Sequence, residues 1–564
     1  MRPALATVLL LACAESAPPA DAPTWHADVA PLVERHCAAC HATGELADPI
    51  AFDDYEATAR WGVAIQHAVV SGDMPPFKAR ETDACTPDDP WMNDARLSAD
   101  EIATFAAWVD ADMPEGDPAD APEPEPAPSV DLADTTPLLP TSAYVVPPAD
   151  VDKDVFTCVS LDPGLVEDGW LEGYQVLPDE RRVVHHVLVA IDEDGETAGL
   201  ADADGRYDCL GGFGVDAQFV GAWVPGAAPM PVPDGSAVRV PAGARILLQM
   251  HYHLVDEPVP DATGVGIRWA DDAPDRPAVF GLYGNARGLQ PDPDDGGLAR
   301  LYIPAGSTDH EEHLVIPWRQ PQPLRVFLVG NHMHYVGTRM RVWIERPATD
   351  GSSTCILDTP DWDFDWQQTY FYDAAAGEGP LLQAGDEQHI ACTYDNSLTN
   401  PAVAGALTEA GLTAPVDVSL GEGSLDEMCL VTLGAIPEGE LVAPEPTHLG
   451  TATLSLATAD GTSEDSCDAP AEALVDLDGG VLLGQASCEV FAYGQTRTLE
   501  ATWLSRDAAL GDVGGAGQFD LSDFATGPFT WTGTLSEEAL ELQMSATYPL
   551  QPDLTVEATV RLTP

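Results

Sequence analysis

Residues 324–344 read LRVFLVGNHMHYVGTRMRVWI, an aliphatic run interrupted by Gly330-Asn331-His332-Met333-His334-Tyr335-Val336-Gly337. The composition predicts extended chain, and side chains on a strand alternate faces with a period of two. His332 and His334 therefore project from one face, which is metal-ligand spacing. An isolated H-x-H more often decorates a half-polar face, but this one has company. His185-His186 lie in RVVHHVLVAI and His251 and His253 in RILLQMHYHLVD, so six of the 14 histidines fall in three short apolar segments. Adjacent His185 and His186 point to opposite faces of a regular strand, so joint ligation requires the backbone to bulge or end there. His253 shares a face with His251, as an alternative ligand or an outer neighbour. Further on, GEGSLDEMCLVTL carries Met428, a soft thioether that suits Cu(I), beside Cys429.

Taken in order, FTCVSLDP, VVHHVLVAI, FVGAWVPGAAPMPVP, ILLQMHYH, HMHYVG and DEMC resemble the copper type II, ascorbate-dependent monooxygenases, the family of peptidylglycine α-hydroxylating and dopamine β-monooxygenases. The resemblance covers roughly residues 145–440. It implies two jelly-roll-like β-sandwich copper domains, about 143–290 and 291–440. It also implies two copper ions: one for electron transfer on His185, His186 and His251, and one activating O2 on His332, His334 and Met428. The implied disulfides are Cys158–Cys209 and Cys392–Cys429. In the peptide-amidating relatives an arginine two residues before the first histidine of the pair helps bind substrate, with an asparagine and a tyrosine two and four residues past the methionine. Gly330, Leu430 and Thr432 stand there instead. The charge-assisted anchor for a carboxylate is absent, so a small neutral or apolar substrate is expected.

The chain of 564 residues exceeds one ordinary core. With 93 acidic and 24 basic residues its net charge is −69, which excludes nucleic acid and anionic lipid surfaces as partners and favours cationic ones. The start, MRPALATVLLLACAES, has an apolar run too short to span a bilayer and reads as an export signal over residues 1–20. It also resembles a bacterial lipoprotein signal in which Cys13 takes the lipid, although Leu11 is bulkier than such signals usually carry and simple secretion is the alternative. The expected location is the periplasm, an outer-membrane lipoprotein or the cell surface, with no transmembrane helix.

Within residues 21–115, Cys37-Ala-Ala-Cys40-His41 is the C-x-x-C-H signature of covalent c-type haem attachment, with His41 as proximal ligand. The neighbouring helical patterns EATARWGVAIQHAVVSG and SADEIATFAAWVDADMP predict a small α-helical domain, the second opening on a Ser98/Glu101 capping box. Gly72-Asp73-Met74-Pro75-Pro76 resembles the axial-methionine loop of small cytochromes c. Met74 is the sixth-ligand candidate, with Met92 and Met113 as alternatives. Residues 116–142 are a Pro- and acid-rich linker.

Short β-branched runs between turn residues from Tyr144 onward predict all-β architecture, and 441–564 predicts one more β-sandwich or barrel domain. Its role is not written in any ligand cluster. Setting Cys13, Cys37 and Cys40 aside leaves eight of 11 cysteines. Cys467 and Cys488 are expected to pair locally, and Cys85 and Cys355 have no assignment. His310-Glu311-Glu312-His313 is one residue short of a zinc helix and reads as a polar loop.

The expected function is an exported oxidoreductase that hydroxylates a C–H bond with O2, fed by an external reductant or cationic redox protein through the haem. The competing class is a non-enzymatic electron-transfer or metal-binding cytochrome fusion.

Overall fold

A computed structural model of the chain describes residues 22–564 except 93, 124–131, 149–153, 210–211, 226, 228, 286–287, 291–299, 319–321, 347–350, 375–377, 422–424, 440–445, 478–480, 506–507, 522–524 and 549–553. The expected export signal with Cys13, and part of the expected linker, lie outside the described residues. The chain divides into two compact units: Met1–Phe77, Asp94–Val130 and Arg181–Val183 form one, and Lys78–Asn93, Asp131–Glu180 and Val184–Pro564 the other. Strand dominates, spread over several sheets, and helices are few.

The first unit holds the helices Ala30–His36, Tyr55–Ser71 and Ala99–Asp110 around a core that includes Trp25, Val33, Phe52, Ile65, Phe105 and Trp108. Helix ends leave unpaired N–H groups, and local side chains satisfy them. Asp54 accepts from the Ala57 N–H at 2.8 Å. Ser98 and Glu101 form the expected capping box, the Glu101 N–H donating to Ser98 Oγ at 3.3 Å and the Ser98 N–H to Glu101 Oε2 at 2.8 Å. Tyr55–Ser71 stops at Gly72, whose φ of +82° is the left-handed conformation that glycine adopts most readily.

The second unit is built of sheets. A five-stranded sheet runs in the order Arg206–Tyr207, Asp154–Leu161, Arg245–His253, Val184–Asp192, Gln218–Trp223. A four-stranded sheet contains His310–Pro317, Glu387–Tyr394, Gly337–Glu345 and Ser353–Thr359. A ten-stranded sheet includes Leu324–His332, which pairs with Leu430–Pro437. Arg276–Gly284 pairs in parallel with Ser236–Val240 and antiparallel with Leu430–Pro437. One sheet thus joins strands from both sides of position 290. Leu324–His332 is buried along nearly its whole length, which explains a continuous apolar run where a half-exposed strand would alternate.

The segment His310–His313 corrects the sequence reading. It is not a loop but the start of the strand His310–Pro317, paired in register with Glu387–Tyr394. His310 and Glu312 point inward and are buried, while Glu311 is exposed. The inward polar pair is tolerated because it is bonded: Glu312 Oε1 accepts from the Tyr302 N–H at 2.8 Å and lies 3.3 Å from His310 Nε2.

From His448–Thr458 to Leu554–Thr563, eight antiparallel strands form a closed barrel, the first pairing with the last. In Leu554–Thr563 the inward residues Leu554, Val556, Ala558, Val560 and Leu562 are buried and the outward Glu557, Thr559, Arg561 and Thr563 exposed. Trp503, Phe519 and Trp531 fill the interior. The outward residues of this strand are charged or hydroxylated, whereas elsewhere on the barrel Leu449, Leu483 and Phe491 are exposed. No described helix is long and apolar enough to cross a membrane.

Among the described residues four disulfides are present: Cys158–Cys209, Cys392–Cys429, Cys467–Cys488 and Cys85–Cys355. They suit an oxidising compartment. The last spans 270 residues and fixes a strap, residues 78–92, within the second unit. The Arg80 N–H donates to Asp358 O at 2.8 Å, the Met92 N–H donates to Phe371 O at 2.7 Å, and Trp91 stacks on Tyr372 with ring centroids 4.9 Å apart.

Candidate metal centre

His186 and His251 sit opposite each other on neighbouring strands, and at that point the ladder slips: His251 pairs with His186, but Tyr252 pairs with Val184. His185 is the extra residue of this bulge. The slip turns its ring to the side of its neighbours, resolving the alternation conflict between consecutive histidines. The Nδ1 atoms of His185 and His251 are 3.2 Å apart, as are those of His251 and His186. All three side chains offer ligand atoms within 4.8 Å of one another. Phe156 stacks on His251 with centroids 4.3 Å apart and fixes its ring plane. Burial, then the neighbouring His251, His185 and His332, hold His186 well below the usual imidazole range, so it stays neutral and keeps a lone pair for a metal. His253 is exposed, its ring 6.4 Å from that of His185, and stands outside the cluster. His251→Ala is expected to remove one bound metal equivalent, read by elemental analysis after dialysis. His253→Ala should keep it, and equal stoichiometry in the His251 variant would rule the cluster out.

His332 and His334 close the Leu324–His332 strand and the turn after it, with ring centroids 5.1 Å apart. His332 Nδ1 donates to Gln367 Oε1 at 2.7 Å and His334 Nδ1 to the Asp426 carbonyl at 3.1 Å. With Nδ1 carrying the proton, the lone pair of each ring is on Nε2. Burial, then His334, lowers the His332 pKa to about 4, the Gln367 bond opposing, so the ring is neutral at ordinary pH.

Glu427, the residue before Met428, carries no ligand signature in the sequence. It is fully buried between the two halves of this group. Its carboxyl accepts backbone N–H groups from His334, from Val336 at 3.2 Å, from Gly337 at 3.1 Å and from Met428 at 2.8 Å. One side chain thereby ties Met428 to the histidine turn. Burial raises its pKa to about 8, against the pull of those four donors. Tyr394 donates its hydroxyl to Met428 O at 3.1 Å, and the Cys392–Cys429 disulfide anchors the next residue.

His186, His332, His334 and Met428 all line one cavity of about 420 Å³. Its other walls include Phe156, Leu188, Phe213, Phe219 and Leu282, and no Asp, Glu, Lys or Arg is among its described lining residues. Gly330, Leu430 and Thr432 also face it. A Cβ added at Gly330 meets Thr369 Cγ2 at 2.9 Å, so a long side chain there requires the wall to move.

No protein-family model and no curated protein matches this chain. What each group can hold follows from its donors. Three imidazoles suit copper, zinc, iron or nickel, whereas two imidazoles with a thioether select the softer Cu(I).

In the first unit the C-x-x-C-H motif forms a turn after Ala30–His36, the His41 N–H donating to Cys37 O at 2.9 Å. Neither Cys37 nor Cys40 is in a disulfide, and burial raises their pKa values to about 12 and 11. His41 Nδ1 lies 2.9 Å from the Ile50 carbonyl and its ring stacks on Phe52, which presents Nε2 as ligand atom. These residues fit a covalent haem. Met74 lies in the loop after the second helix and is 38% exposed. Met113 packs against the core of this unit, and Met92 belongs to the strap of the other.

Proposed function

We propose that the chain is an exported copper-dependent monooxygenase that hydroxylates a C–H bond of a small neutral or apolar substrate with O2. A c-type haem would be held by Cys37, Cys40 and His41, with Met74 as the candidate further ligand, and would supply one-electron transfer. The observation that carries this reading is a three-histidine cluster whose member His186 lines the same uncharged cavity as His332, His334 and Met428. Bound copper supplies one-electron chemistry with O2. His332 and His334 present Nε2 to it, with Gln367 and the Asp426 carbonyl holding their Nδ1 protons. The phenyl and aliphatic walls exclude water and receive an apolar substrate. Gly330, Leu430 and Thr432 offer no cation, so glycine-extended peptides are not expected to be amidated efficiently. A zinc-binding surface protein is the lesser reading, since Met428 is a poor zinc ligand.

The test is elemental analysis and electron paramagnetic resonance of protein matured with copper and haem. Two copper equivalents with distinct Cu(II) spectra and one covalent haem are expected. A single copper, or zinc retained in preference at both groups, overturns the assignment. The haem's part is tested by anaerobic mixing of haem-reduced protein with oxidised copper. A haem that stays reduced while ascorbate still drives oxygen consumption belongs to another pathway.

A further inference from the structure

A short segment between the strands Ser353–Thr359 and Thr369–Phe371 touches ligands of both groups. Phe364–Trp366 is a single 3-10 turn, opened by Asp363, whose side chain accepts from the Asp365 N–H at 3.1 Å. The indole of Trp366 lies 6.0 Å from the His185 ring, centroid to centroid, tilted by 49°. The next residue, Gln367, is buried and places Oε1 2.7 Å from His332 Nδ1. Its Nε2 donates to Phe364 O at 3.1 Å, which fixes the amide so that the oxygen faces the histidine. Phe364 itself packs 6.1 Å from the His334 ring.

We propose that Trp366 and Gln367 form an electron bridge between the two metal groups, a role that rests on the copper reading above. From His185 to His332 the route has one through-space step, ring to indole. The rest is the covalent Trp366–Gln367 backbone and side chain and one hydrogen bond. Electronic coupling falls more steeply through open space than through bonds, and this route is shorter in bonds than the one from the His185–His186 strand through Ala222 O, which accepts from Thr369 Oγ1 at 3.3 Å. With both groups loaded, one electron would pass from a reduced copper held by His185, His186 and His251, which would be oxidised, to an oxidised copper held by His332, His334 and Met428, which would be reduced. Trp366 and Gln367 supply orbitals and are neither oxidised nor reduced, and no proton moves.

The segment is braced so that this contact persists. Trp362 Nε1 donates to His334 O at 3.2 Å and the Trp362 N–H to Thr338 O at 2.9 Å. On the outer side Lys78 of the strap pairs with Asp363 at 3.5 Å.

The experiment injects a single electron by pulse radiolysis into fully oxidised, copper-loaded protein. It follows which Cu(II) signal is lost by freeze-quench electron paramagnetic resonance. The two spectra are assigned with the His251→Ala and Met428→Ala proteins. Trp366→Leu and Trp366→Val, two aliphatic replacements of a half-buried ring, are expected to retain both coppers and to slow equilibration between the sites at least tenfold. Trp366→Phe should restore most of the rate. Separately, Gln367→Met in metal-free protein should abolish the His332 Nδ1–H hydrogen bond seen by ¹⁵N NMR. Wild-type equilibration in a copper-replete aliphatic variant overturns the bridge and leaves the copper reading standing. Failure of the unaltered protein to load two coppers overturns both.

Discussion

His332→Ala and Met428→Ala are each expected to abolish reductant-driven oxygen consumption while the His185, His186 and His251 group keeps its copper. Loss of an outer hydrogen-bond partner of a metal ligand typically costs about 10–100-fold in affinity or activity, and removal of a ligand itself should exceed that. The two substitutions act on different donors but one ion. His332 is kept neutral by burial and oriented by Gln367, and Met428 is held by Glu427 and Tyr394. Oxygen uptake by a sensitive electrode, with copper stoichiometry measured on the same sample, checks the prediction. Unchanged uptake in either variant removes the monooxygenase assignment.

The second large effect is expected at Glu427, which touches no substrate. Glu427→Ala strips the acceptor from four backbone N–H groups around the turn His334–Gly337 and at Met428. A buried donor left without a partner costs about 1–3 kcal/mol, so even partial relaxation leaves several kcal/mol of destabilisation. Glu427→Gln keeps the shape and one accepting oxygen but brings an NH2 donor against N–H donors, and should fall between wild type and alanine. Chemical unfolding followed by tryptophan fluorescence reads the loss. A Glu427→Ala protein within about 1 kcal/mol of wild type, still binding copper at the His332 group, would show that the side chain is dispensable.

How far these features were legible in sequence depended on their range. The common face of His332 and His334 follows from strand geometry, and the bulge at His185 follows from asking two adjacent residues to meet. The Ser98–Glu101 box is four residues long. The reach of Gln367 to His332 is different in kind. It crosses 35 positions, and its only trace is an aromatic-rich stretch, DFDWQQTYF, in an acidic neighbourhood. Glu427 was hidden by its type, because an acid beside a turn ordinarily faces water, and only the folded chain shows four N–H groups aimed at it. His310 and Glu312 misled for a similar reason. Polar residues read as loop until a tertiary partner, here the Tyr302 N–H, satisfies them inside a strand.

The strap held by Cys85–Cys355 changes what a break in the chain can do. Residues 78–93 leave the first unit at Phe77 and return to it at Asp94, so they lie within any N-terminal fragment produced by cleavage in 116–142. A protease that nicks that acidic stretch yields two polypeptides but releases nothing, because the N-terminal piece carries Cys85 and the remainder Cys355. The two migrate as one molecule until a thiol reductant is added. The N-terminal unit joined this way stays covalently attached to the second unit after the backbone between them has been severed.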